Sequence, residues 1–150
     1  MMKHRARKYT SLMAALGLAG VVAGCSSDTE DLPAFDSLNA TYQAVDEVVD
    51  CSEDVSEPPV KSPGSGTDAG ESELCTNTVE VLWFDNDEAR DDVYELLASA
   101  AGSAGAVYFV EGRNWFVADY SEVQAGSVPE REIDMEQLAE VLDAQYTVEQ

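Results

Sequence analysis

The 150-residue chain sets 30 acidic side chains against 8 basic ones, a formal charge of −22. Such a chain repels phosphates, which excludes nucleic acid as a partner and makes bare anionic headgroups a poor one. Its single histidine is His4, so downstream of it no Ser-His-Asp or Cys-His nucleophile system and no histidine-ligated metal can be built.

Met1 to Thr10 carries Lys3, His4, Arg5, Arg7 and Lys8, and Ser11 to Gly24 is uncharged and rich in Leu, Ala, Val and Gly. A basic start followed by a short apolar run and small residues predicts a secretory signal. The run is too short to cross a bilayer comfortably. It ends on Val22-Ala23-Gly24-Cys25, which resembles a bacterial lipobox. The resemblance implies that the Cys25 thiol receives a diacylglyceryl group and becomes the new N-terminus. The alternatives are an uncleaved anchor and an ordinary signal with a chance Cys. No Arg-Arg pair lies between Lys3 and Lys8, which favours the general secretion route over the twin-arginine one. The expected location is the cell membrane, lipid-anchored and facing away from the cytoplasm. The chain then divides into a signal at 1–24, a flexible tether at 25–36 and a single α/β domain at 37–150 with a disordered loop at 53–73. All acidic residues follow Cys25, and removing the four basic residues of the signal takes the charge to −26.

Fully extended, Ser26 to Asp36 would reach about 35 Å. Leu38, Tyr42, Val45 and Val49 then recur at helical spacing, with Asp36 or Ser37 able to cap the helix start. Cys51 ends this helix. Glu53 to Glu73 holds Pro58-Pro59, Pro63-Gly64 and Ala69-Gly70 with almost no apolar side chains, and reads as a loop. With Cys25 acylated, Cys51 and Cys75 remain as an even pair in an oxidising compartment, which predicts a disulfide. The cross-link would contribute on the order of 3 kcal/mol on the chain-entropy model. A redox pair or half of a metal site is the alternative, but the spacing lacks the Cys-x-x-Cys arrangement that tunes a thiol.

Val79-Glu80-Val81-Leu82-Trp83-Phe84 reads as a central strand. Asp85-Asn86-Asp87 breaks it and supplies caps for a helix whose stripe is Ala89, Val93, Leu96, Leu97, Ala100 and Ala101, ended by Gly102 and Gly105. Ala106 to Val110 and Trp115 to Ala118 are two further strands, joined by the turn Glu111-Gly112-Arg113-Asn114 with Gly112 available for a positive φ. Gln124 to Arg131 reads as a loop. Asp134 and Gln137 resemble a capping box before a helix burying Met135, Leu138, Ala139 and Leu142. Tyr146-Thr147-Val148 closes the chain as a short edge strand.

From Thr78 onward the order is β-α-β-β-α-β, which predicts an α+β fold: a ferredoxin-like two-layer sandwich preceded by a disulfide-tethered helix. The strands at Val79 and Trp115 are apolar on both faces, whereas a sheet with one wet face alternates more cleanly. A second cover is therefore needed, either the first helix or a partner protein.

Two constellations are candidates for chemistry. Asp85-Asn86-Asp87-Glu88 gathers carboxylates at a strand end, but Ala89 and Arg90 stand where a calcium loop needs an oxygen ligand and a glycine, and acidic residues at a helix start are ordinary caps. Gly112-Arg113-Asn114-Trp115 could grip an anionic or sugar ligand through Arg113, Asn114 and Trp115. In the competing structural reading Gly112 makes the turn and Trp115 is core. The combination of lipobox, first helix near a Cys, Pro/Gly-rich gap, second Cys and Gly-x-Asn-Trp hairpin resembles small uncharacterised actinobacterial lipoproteins. That resemblance implies an envelope-anchored α/β domain and carries no activity. Ala144-Gln145-Tyr146 departs from their Gly-rich ending. The expected function is a non-catalytic, membrane-anchored lipoprotein binding a protein or cell-envelope component, without cofactor or metal. The alternatives are an accessory solute- or cation-binding module and, last, a carboxylate-based glycan hydrolase.

Overall fold

The computed structural model describes residues 31–52, 54–55, 70–125, 131 and 133–150. The signal at 1–24, Cys25 and most of the 53–73 loop lie outside the described residues. The elements in order are α1 (Leu38–Val49), β1 (Gly70–Leu74), β2 (Val79–Phe84), α2 (Asp87–Ala98), β3 (Val107–Glu111), β4 (Trp115–Asp119), α3 (Ser121–Ala125), α4 (Met135–Val141) and β5 (Gln145–Glu149). The fold is α+β. Its strands form one antiparallel sheet in the order β1-β2-β4-β3-β5.

The helix starts follow from capping. Ser37 Oγ accepts from Ala40 N–H at 3.2 Å, Asn86 Oδ1 from Ala89 N–H at 2.9 Å and Asp134 Oδ1 from Gln137 N–H at 3.0 Å. Each satisfies a backbone donor that the first helical turn leaves without an internal partner. Asn86 is thus the N-cap of α2, with Asp87 and Glu88 in its first turn, where the helix dipole favours negative charge.

The strand order is not ferredoxin-like, and crossover geometry explains the difference. β2 and β3 run parallel with β4 between them, and β4 and β5 run parallel with β3 between them. Both crossovers therefore step two places in the same direction along the sheet, starting from strands that point opposite ways. Two crossovers of one hand must then lie on opposite faces. In the ferredoxin-like order the second crossover steps back, and both helices fall on one face. Here α2 covers Leu82, Phe84, Phe109 and Phe116 through Val93, Ala89 and Leu97. On the other face α4 and α1 cover Val79, Val81, Val110, Trp115 and Val117, through Met135, Leu138 and Ala139 from α4 and Val45 from α1. The sheet has helices on both sides, not the single helical layer expected. The apolar character of β2 and β4 on both faces is satisfied within the chain, and α1 supplies part of the second cover.

Gly70–Leu74, read from the sequence as the end of the loop, is an edge strand paired with β2 from Gly70↔Phe84 to Leu74↔Glu80. It occupies the place beside β2 that a ferredoxin-like last strand would take, and β5 lies at the opposite edge, on β3. The Cys51–Cys75 disulfide is formed, with Cα atoms 4.6 Å apart, and Ser52 N–H donates to the Cys75 carbonyl at 2.9 Å. The bridge ties the end of α1 to the β1–β2 turn.

Candidate functional site

The Gly112–Trp115 turn joins β3 to β4, and four of its polar groups converge on the chain just before α1. Trp115 Nε1–H and Arg113 N–H both donate to the Pro33 carbonyl, at 3.0 and 2.9 Å. Asn114 takes both backbone groups of one residue: its Nδ2 donates to Phe35 O at 2.8 Å and its Oδ1 accepts from Phe35 N–H at 3.1 Å. Trp83 Nε1–H adds a second donor to Phe35 O at 2.9 Å. The Phe35 ring lies 5.3 Å from that of Trp115, centroid to centroid.

Gly112 is required here for close approach. Its φ is not positive, contrary to the expectation from the turn sequence. A Cβ on it would collide with the Trp115 indole and sit 2.6 Å from Pro33 O, a contact real Cβ atoms do not make. Of the three predicted binding residues, Trp115 is fully buried and Asn114 half-buried, while only Arg113 projects an exposed side chain. Asn114 and Trp115 hold the protein's own backbone, which leaves neither free to grip a ligand. The tether expected to run to Asp36 is accordingly fixed from Pro33 onward.

A second polar group, which the sequence did not single out, lies under α2. Arg90 and Glu111 are both buried and joined at 2.9 Å. Arg90 also reaches the exposed Asp91 at 2.9 Å, and its guanidinium carbon stands 5.9 Å from the Phe116 ring centre. Glu111 accepts from Thr147 Oγ1 at 2.7 Å, and Tyr94 donates to Glu149 at 2.9 Å. Burial, then the Glu111 charge and the bond to Glu149, push the Tyr94 hydroxyl well up from its ordinary pKa. These contacts lace β5 to α2 and β3. The available signal was that Arg90 is one of only four basic residues after Cys25, placed on the apolar side of a helix.

The third group lies at the other end of the sheet. Glu122 of α3 accepts from Tyr108 OH at 2.5 Å and from Ala106 N–H at 3.0 Å. The tyrosine bond first, then the backbone donor, hold the Glu122 carboxyl below its ordinary range. The same bond raises the Tyr108 hydroxyl. The Arg131 guanidinium stacks 4.1 Å from the Tyr108 ring centre. Beside it a recess of about 320 Å³ is lined by Arg131, Ile133, Asp134, Glu136 and Tyr146. Ile133 and Asp134 also line a smaller recess against Val48 and Val49 of α1. Among the described residues, no group of three or more His, Cys, Asp or Glu side chains is arranged to hold a metal ion, and no helix is long and apolar enough to cross a membrane. No protein-family model, curated protein or solved structure matches the chain.

Proposed function

We propose that this is a membrane-anchored, extracytoplasmic lipoprotein whose domain is a non-catalytic binding module for a protein or cell-envelope component. The observation that carries the anchoring is the basic, apolar, small-residue sequence ending at Cys25. The binding reading is supported by the recess at Arg131 and Tyr146. Beside it the Arg131 guanidinium carbon stands over the Tyr108 ring, 4.1 Å from its centre, and the recess wall sets Asp134 and Glu136 beside Arg131 and Tyr146, a polar and aromatic lining that suits a neutral sugar-like or basic group better than an anion. The surface is otherwise strongly acidic, so a basic or neutral partner is favoured.

The anchor is tested by labelling cells with a palmitate analogue. Wild type should take up label and Cys25→Ser should not; equal labelling sinks the anchor. Binding is tested by pull-down from envelope extracts with wild type and Arg131→Ala. Retention that survives the substitution unchanged removes the Arg131 recess as the contact surface.

A further inference from the structure

We propose that the β3–β4 turn is the membrane-facing end of the domain and that the end carrying Cys51–Cys75, α3 and the Arg131 recess faces outward. This rests on the anchored reading above and adds an orientation to it.

The chain enters the fold at Pro33, where Trp115 and Arg113 fix its carbonyl, and at Phe35, where Asn114 and Trp83 do the same. The strand register places these contacts at one end of the sheet, with Trp83 paired to Trp115 and Glu111 to both Phe116 and Gln145. The opposite end holds Val107 paired to Glu149 and Val79 paired to Asp119.

From Cys25 to Pro33 there are eight residue steps, which span at most about 29 Å however they are arranged. A domain of this size is roughly 35 Å across. To press its opposite end on the bilayer, the tether would have to pass around the domain and then down to the surface. That path is about 45 Å for a sphere of this diameter, well beyond the reach. Were the chain free up to Ser37, twelve steps would span about 40 Å, and inversion would be nearly within range. The three clamped backbone groups, Pro33 O, Phe35 N–H and Phe35 O, therefore convert a loose attachment into an oriented one.

The lipid surface meets this end without a docking contact. Asp36, Asp85, Asp87 and Glu88 are exposed around the turn, against the exposed Arg113. Anionic headgroups repel them, and the acyl chains hold the domain against that repulsion.

The test uses the full, acylated protein in vesicles of phosphatidylethanolamine and phosphatidylglycerol containing an acceptor-labelled lipid. A donor fluorophore is placed at Arg113→Cys, on the turn, or at Ser103→Cys, exposed at the opposite end. Energy transfer from position 113 should exceed that from position 103 by about twofold or more, because the two lie near opposite ends of a body roughly 35 Å across. Equal transfer from both positions in vesicles that carry the protein on flotation overturns the orientation while leaving the anchor intact. Failure to float at all overturns the anchor, and the orientation with it.

Discussion

At the scale of single residues, the Gly112–Trp115 turn is where sequence motif and structural duty coincide. Gly112→Ala inserts a methyl group into the space held by the Trp115 indole and Pro33 O. Such overpacking typically costs about 1–3 kcal/mol, so the variant should melt several degrees lower. An unchanged melting temperature would show that Pro33 is not held as described. Asn114→Ala removes two hydrogen bonds to Phe35, worth about 1 kcal/mol each. The expected signature is a loss near 2 kcal/mol in a denaturant melt, with a changed environment for both tryptophans. Glu122 gives a pH-dependent counterpart. Its folded pKa lies below the ordinary 4.5, so its contribution is complete above that value and fades as pH falls through the folded pKa. The melting-temperature gap between wild type and Glu122→Gln should therefore narrow from about pH 6 to about pH 3. A constant gap would mean the carboxylate charge is not what binds Tyr108 and Ala106.

At the scale of elements, the cover on the second sheet face can be tested through Val45, which is fully buried among Val81, Val110 and Trp115. Burying an aliphatic side chain stabilises by about 1.5–3 kcal/mol, and a carboxylate in its place adds a desolvation cost. Val45→Asp should unfold a domain of marginal stability; a folded variant that loses only an oligomer on size-exclusion would make α1 an interaction surface instead. Helices α1, α2 and α4 and the strands at Val79, Val107 and Trp115 were legible because apolar period and caps agree there. The edge strand Gly70–Leu74 was not, because Gly, Ser and two Glu carry a loop's composition. It forms because Cys75, bonded to Cys51 and hydrogen-bonded to Val79 O, turns the chain back along β2. Once β1 holds that edge, the last strand must pair elsewhere, and strand order is a property no local pattern records. The short α3 was hidden for a related reason: Ser121–Ala125 has little amphipathic pattern, and its buried Glu122 is matched by Ala106 and Tyr108, partners that sequence spacing does not reveal.

At the scale of the whole molecule, the clamp and the charge act together. The predicted mature chain carries −26, and most of those carboxylates are exposed, so the compact state works against its own repulsion. At low salt the Debye length is about 30 Å, close to the domain's width, and at 1 M salt it falls to about 3 Å. Every surface carboxylate thus feels the others in dilute buffer and few of them in brine. The buried Arg90–Glu111 pair is shielded from solvent and loses little on screening, so no compensating attraction of similar size is removed. The melting temperature of the mature protein should therefore rise with sodium chloride from about 10 mM to 1 M. A neutral co-solute of equal osmolality should not reproduce the low-salt part of the rise, which separates screening from exclusion of solute from the surface. In anionic vesicles the same screening should bring the β3–β4 turn nearer the headgroups, raising energy transfer from a label at position 113. A flat or falling melting temperature would show that the acidic surface is locally compensated. In the anchored arrangement proposed above, the distance from the bilayer would then be set by tether length alone.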